Sequence, residues 1–309
     1  MSHTGSRAPA SMAAEYLDLH THGAAGHAYD DAAEAHIAQA LAVHREHGTS
    51  GTLLSLVSAP VEQLAQRLRE LREVLAASAV ISGVTVYGVH LEGPFLAAAR
   101  CGAHDSQALS APTPDAVETL LEAGEGILRQ ITLAPELPGA KDAVRRFTEA
   151  GVSVAVGHTE ATYTDAATAF DLGASLVTHA FNAMPGLGHR EPGPLGAALE
   201  REHVTLEVIA DGVHVHPVLV KTLFSAAPGR IALVTDSMAA TGLGDGTYQL
   251  GGLAVEVQNS VPLLSGTETL AGSTLTMDEA VATVISAGVG HEEAVTAAST
   301  TPARVLGLP

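Results

Sequence analysis

The sequence predicts an α/β protein whose elements close into a (β/α)8 barrel. Eight short β-branched runs alternate with Ala-, Leu- and Glu-rich helical stretches, the pattern of parallel βα units. Runs such as VSVAV and IALVT are almost continuously apolar, as in strands covered on both faces. A length of 309 residues is long for one ordinary domain and typical of a single barrel. A doubly wound open sheet is the architectural alternative.

The strands are expected at Tyr16 to His22, Thr52 to Val57, Val84 to His90, Ile127 to Ala134, Val152 to His158, Leu176 to His179, Val204 to Ala210 and Ile231 to Thr235. After the eighth, TYQLGG, LAVEV and VPLLSGTETLAGS alternate and are rich in turn residues, which predicts a β-hairpin excursion over about residues 243–270. Helical character returns from Thr276, and the last helix is expected to end near Val305. Residues 1–14 are small, polar and aperiodic and read as a flexible tail. Residues 15–309 read as one domain, without a linker or internal repeat.

Charge excludes several partners. Lys plus Arg number 15 against 34 Asp plus Glu, a net charge of -19, which repels nucleic acid and anionic membrane surfaces. A small anionic substrate stays compatible where a few basic groups gather, because a pocket responds to its own lining more than to distant screened charge. No apolar run is long enough to span a bilayer and no signal pattern opens the chain, so a soluble, cytoplasmic protein is expected. The single cysteine, Cys101, excludes a disulfide framework and a Cys-rich zinc module.

With 16 His, a His-x-His pair such as His20 and His22 is expected about once by chance, and a second pair exists at His214 and His216. Placement decides the matter. A barrel carries its chemistry at the C-terminal ends of its strands, and there stand Asp18, His20 and His22 after strand one. His90 and Glu92 follow strand three, His158 strand five, His179 strand six, Asp211 and His214 strand seven, and Asp236 strand eight. Gathering so many ionisable groups without a cation would be costly, and a divalent metal would offset their desolvation. Nitrogen and oxygen donors without thiolates point to zinc, iron, manganese or cobalt. His36, His44 and His47 fall in a polar helical stretch and are expected on a solvated face; His3, His203 and His291 receive no role.

The segments LDLHTHG, GVHLEGPF, LAPE, VGHTEATY, THAFNAMPGLGHREPG, IADGVHVHP, VTDSMAATG, TLAGSTLTM and TPARVLG resemble the N-acetylglucosamine-6-phosphate deacetylase family of the amidohydrolase superfamily, in order, over roughly residues 16–308. The resemblance implies hydrolysis of N-acetylglucosamine 6-phosphate to glucosamine 6-phosphate and acetate, with one or two divalent ions per subunit. It implies Glu92, His158 and His179 as ligands of a principal metal, His20 and His22 with Glu92 as ligands of a second, and Asp236 as the catalytic acid and base that also faces the metal. Substrate contacts would come from Ala103, His104, Asn182, Ala183, Arg190, His214, Leu270, Ala271 and Gly272. Arg190 would reach the substrate of a partner subunit, which implies a homodimer. The β-sandwich that usually flanks the barrel in this family is expected to be missing here.

Other readings of the same residues stand beside this one. Gly93 and Pro94 could merely form a turn, Asp236 could cap a helix, and GHREPG could be an exposed turn. Cys101 could be structural, or a loop thiol that touches substrate or senses oxidation. An amidohydrolase for another N-acyl amino sugar, such as N-acetylgalactosamine 6-phosphate, is the enzymatic alternative, because pocket loops set the substrate. An inactive sugar-phosphate binder is the non-enzymatic one.

Overall fold

The computed structural model describes residues 15–309, so the expected tail lies outside the described residues. Eight parallel strands follow one another around the sheet: β1 (Tyr16–Asp18), β2 (Thr49–Leu56), β3 (Val84–Glu92), β4 (Leu128–Leu133), β5 (Ser153–Val156), β6 (Leu176–Val177), β7 (Thr205–Ile209) and β8 (Ile231–Val234). The two ends of this path meet. The Asp236 N–H donates to the His20 carbonyl and the His22 N–H to the Ser237 carbonyl, both at 2.8 Å, and Thr21 and Ser237 form a parallel bridge. The Thr235 hydroxyl donates to Asp18 at 2.5 Å across the same seam, while burial pushes the Asp18 carboxyl up to about 6. The sheet is a nearly closed barrel, not an open doubly wound one.

The helices α1 (Glu34–Glu46), α2 (Val61–Ala77), α3 (Pro114–Ala123), α4 (Ala140–Glu149), α5 (Tyr163–Asp171), α6 (Gly193–Leu199), α7 (Pro217–Ala226), α8 (Met277–Ser286), α9 (His291–Ala298) and α10 (Thr300–Val305) accompany the strands. Local sequence explains them. In α4, Ala140, Ala143, Val144 and Phe147 are buried, the i, i+3, i+4, i+7 stripe of an amphipathic helix. Capping boxes of Thr162 with Asp165 and Thr276 with Glu279 start α5 and α8, satisfying amides that a helix start leaves free.

Three departures from expectation have physical causes. Regular pairing in the first strand ends at Asp18, and the chain to His22 is held by the seam bonds instead of a ladder. The excursion after β8 is a three-stranded antiparallel sheet, β9 (Gly246–Leu250), β10 (Leu253–Gln258) and β11 (Val261–Leu264), so it contains two hairpins, not one. It packs Val255 and Val257 against Met238, Ala239 and Ala271, covering one side of the barrel mouth.

His44 is not on a solvated face. It is 1% exposed, its Nε2 lying 3.2 Å from Thr21 Oγ1 and 3.3 Å from the Gly23 carbonyl. Burial pushes its pKa down to about 4. Below about pH 6.5 the unfolded chain takes up a proton here that the folded chain refuses until about pH 4. Folding stability is therefore full above pH 6.5 and declines as pH falls toward 4, by up to about 3 kcal/mol from this group. His44→Gln should flatten that decline, read by urea denaturation at pH 4.5 and 7; an unchanged pH dependence would remove the assignment. Among the described residues, no helix is long and apolar enough to cross a membrane.

Candidate active site

Three rim residues share one construction. His158, His179 and Asp236 each stand two residues beyond the end of a strand, β5, β6 and β8, and each has a positive φ, of 46°, 28° and 50°. This conformation disfavours residues with a Cβ and persists where the surroundings impose it, most often at functional sites. It turns the three side chains inward over the barrel mouth, where Glu92, the last residue of β3, meets them.

Glu92 is the hub. Its Oε1 lies 3.0 Å from His158 Nε2, 3.0 Å from His179 Nε2 and 3.5 Å from His20 Nε2. Its Oε2 lies 3.1 Å from both His22 Nε2 and His104 Nε2. Asp236 Oδ1 faces His20 and His22 at 3.5 and 3.3 Å, leaving Oδ2 outside those contacts. Burial alone would raise the Glu92 carboxyl, but the adjacent His20 and His104 hold it well below the usual range. Burial would also raise Asp236, and again His20, with a hydrogen bond from His22, holds it down.

The donor set fits a divalent cation. Imidazole nitrogens of His20 and His22 lie 3.1 Å apart, and those of His158 and His179 3.0 Å apart. Two lone pairs would repel at that range unless a proton or cation sits between them, and tetrahedral sites with bonds of 2.0–2.1 Å have donor–donor edges of about 3.3 Å. His20, His22, Glu92 and Asp236 form one buried group able to hold an ion, and Glu92, His104 and His158 another.

His104 is set apart within the second group by its tautomer. The Ser58 N–H donates to His104 Nδ1 at 3.1 Å, so the ring proton sits on Nε2 and is donated to Glu92 Oε2. Burial lowers the His104 pKa to about 4, in keeping with a neutral ring. Expected as a substrate contact, His104 lines the cavity and also steadies Glu92. By contrast, the His158 Nδ1–H donates to the Arg100 carbonyl at 2.8 Å, which leaves Nε2 without a proton and aimed at Glu92.

These groups floor a cavity of about 300 Å³. Of the expected substrate contacts, Ala103, His104, Asn182, Ala183, His214, Leu270 and Gly272 line it. Ala271 instead buries its methyl against Met238 and Val255. Arg190 is exposed and is not brought to the cavity of its own chain. The backbone N–H of Asn182 is bound to the His179 carbonyl at 3.0 Å, so it is not free to donate to an anion. His214 is anchored by an Nδ1–H bond to Asp211 at 2.6 Å, with its Nε2 end left to the cavity. Arg100, given no role from sequence, also lines the wall; the only signal for it was its place beside GAH. Cys101, partly exposed, sits in the loop between two cavity-lining residues, Arg100 and Gly102.

Gly93 secures the hub from behind. Its φ is +94°, and a Cβ there would collide with Ser58 Oγ, whose hydroxyl donates to the Glu92 carbonyl at 3.0 Å. Gly93→Ala should therefore destabilise the fold by at least about 2 kcal/mol, read as a lower denaturation midpoint. A wild-type midpoint would contradict this account of the turn.

An eight-stranded α/β barrel with a His pair after strand one, Glu after three, His after five and six, and Asp after eight defines a metal-dependent hydrolase of the amidohydrolase type. Comparison with known proteins narrows the class. The N-acetylgalactosamine-6-phosphate deacetylase of Escherichia coli O157:H7 is 37% identical over 95% of this chain and 77% of its own length. The N-acetylglucosamine-6-phosphate deacetylase of Vibrio furnissii is 33% identical over 97% and 75%. The structure of the Mycobacterium smegmatis N-acetyl-D-glucosamine-6-phosphate deacetylase superposes with a TM-score of 0.90 at 39% identity, covering 99% of this chain and 83% of that one; an Asp-to-Ala mutant was solved with N-acetyl-D-glucosamine-6-phosphate. No family model matches. The chain belongs to the N-acetylglucosamine-6-phosphate deacetylase family.

Proposed function

We propose that this protein hydrolyses N-acetyl-D-glucosamine 6-phosphate to D-glucosamine 6-phosphate and acetate in amino-sugar catabolism. The observation that carries the reading is Asp236, with Oδ2 outside its His contacts, lining the same cavity as Glu92, His158 and His179. Glu92, His158 and His179 would hold a principal divalent ion. His20 and His22, with Glu92 between and Asp236 adjacent, would hold a second, giving one or two ions per subunit. Zinc is our first choice from the donor types, with iron, manganese and cobalt as alternatives.

When bound, the ion supplies Lewis acidity, which makes water nucleophilic near neutral pH and polarises the acetyl carbonyl. The remaining work falls to side chains. Asp236 takes the water proton on Oδ2 and passes it to the departing nitrogen, as base and then acid. His214, fixed through Nδ1, presents Nε2 to the acetamido group. Ala103, His104, Asn182, Ala183, Leu270 and Gly272 surround the sugar.

The phosphate needs positive charge that an acidic chain must supply locally. Arg190 is a forked donor suited to a phosphate monoester, and its exposure outside its own cavity supports a contact to the substrate of a partner subunit. The exposed Leu187, Val213, Val218 and Leu219, on the Arg190 and His214 loops and α7, support a homodimer. A cytoplasmic location accords with the phosphorylated substrate.

The likeness to the galactosamine enzyme favours one second reading, the galacto epimer as substrate. Comparing kcat/KM for the two epimers separates them: the gluco compound is expected to exceed the galacto compound, and the reverse order overturns the assignment.

A further inference from the structure

The four imidazoles that would hold the ions, those of His20, His22, His158 and His179, differ in what stands behind them. His158 Nδ1 rests on the neutral Arg100 carbonyl, and the buried Nδ1 atoms of His22 and His179 have no hydrogen-bond partner. His20 alone has a carboxylate on its outward nitrogen: Glu207 Oε2 lies 3.4 Å from Nδ1. Glu207 projects from β7 into the barrel and is fully buried. Its other oxygen, Oε1, accepts from Gln130 Nε2 of β4 at 2.7 Å. Among the described residues its ion-pair partner is His20, and the Gln130 amide is its other polar contact.

We propose that Glu207 is a positioning residue for the cation site of His20 and His22, and that it determines whether the chain holds a second ion. The proposal rests on the reading of the rim as a site for one or two divalent ions. Gln130 pins one oxygen, so the other holds the Nδ1 proton of His20 and turns Nε2 toward Glu92 and Asp236. The carboxylate would also add a negative charge behind the His20 and His22 site. Outer carboxylates of this kind change metal affinity by about 10- to 100-fold. The principal group, Glu92, His158 and His179, receives no such support. The effect of Glu207 therefore falls on one ion alone.

The test is a calorimetric titration of Zn²⁺ into the full chain stripped by chelator, with zinc content after gel filtration. The wild type should bind two ions per chain. Glu207→Gln should bind the first with unchanged affinity and the second about 10- to 100-fold more weakly, while the metal-free melting temperature does not fall. A merely structural role would instead lower the metal-free melting temperature and weaken both ions. Two ions at wild-type affinities in the variant overturn the proposal and leave the two-ion reading intact; a single ion in the wild type overturns both. If the variant does not fold, ¹⁵N spectroscopy of His20 in the zinc-loaded wild type decides: a protonated, hydrogen-bonded Nδ1 with zinc on Nε2 is expected, and zinc on Nδ1 overturns it.

Discussion

Glu92→Gln is expected to abolish binding of the principal ion and, with it, acetate release. One carboxylate receives contacts from five imidazoles, those of His20, His22, His104, His158 and His179. An amide of the same shape removes the charge that balances a cation and places an N–H₂ donor against nitrogens that must offer lone pairs. Activity should fall by more than about 10³-fold, since the Lewis acid and the site's organisation are lost together. Removing a buried charge from a set of histidines leaves packing unchanged, so the fold should survive. Metal analysis and far-ultraviolet circular dichroism on one sample check both halves. A folded variant with full zinc and near-normal turnover would refute the hub role.

Asp236→Asn is expected to separate chemistry from binding. The variant cannot accept the water proton, and general acid–base catalysis contributes about 10²- to 10⁴-fold, so kcat should fall by that factor. Because Asp236 contacts His20 and His22 but not His158 or His179, the principal ion should stay and KM should change little. Replacing both His20 and His22 should produce the complementary result, loss of one ion with part of the activity retained. Those two changes together distinguish the proton carrier from the second ion.

The barrel was legible because its strands are apolar on both faces while their C-terminal ends abruptly carry His, Glu and Asp. His158, His179 and Asp236 could be found from that boundary alone, at the ends of the expected strands, although the regular strands stop two residues earlier. Their left-handed backbone could not, since nothing in VGHTE or VTDSM announces a positive φ. Glu207 was hidden for a related reason. A glutamate inside TLEVI reads as an ordinary alternating polar residue, and its burial depends on Gln130 and His20, which lie 77 and 187 positions away.

His44 misled through the opposite effect. Helix α1 looks polar by composition, yet one of its turns faces Thr21 and Gly23 directly behind the His pair, so a His is enclosed there by tertiary contact. Arg190 illustrates a limit of another kind. Its motif suggests anion binding, but the side chain is exposed and stands outside the cavity of its own chain, a placement that the pattern GHREPG does not reveal.

Metal held by these residues would enable cleavage of the acetamido bond of N-acetyl-D-glucosamine 6-phosphate. The most direct measurement is acetate release from that compound by chelator-stripped protein, before and after stoichiometric zinc. No release is expected before, and turnover after, with one glucosamine 6-phosphate formed for each acetate. Equal release from stripped and loaded protein, or none from a folded, zinc-loaded chain, would contradict it.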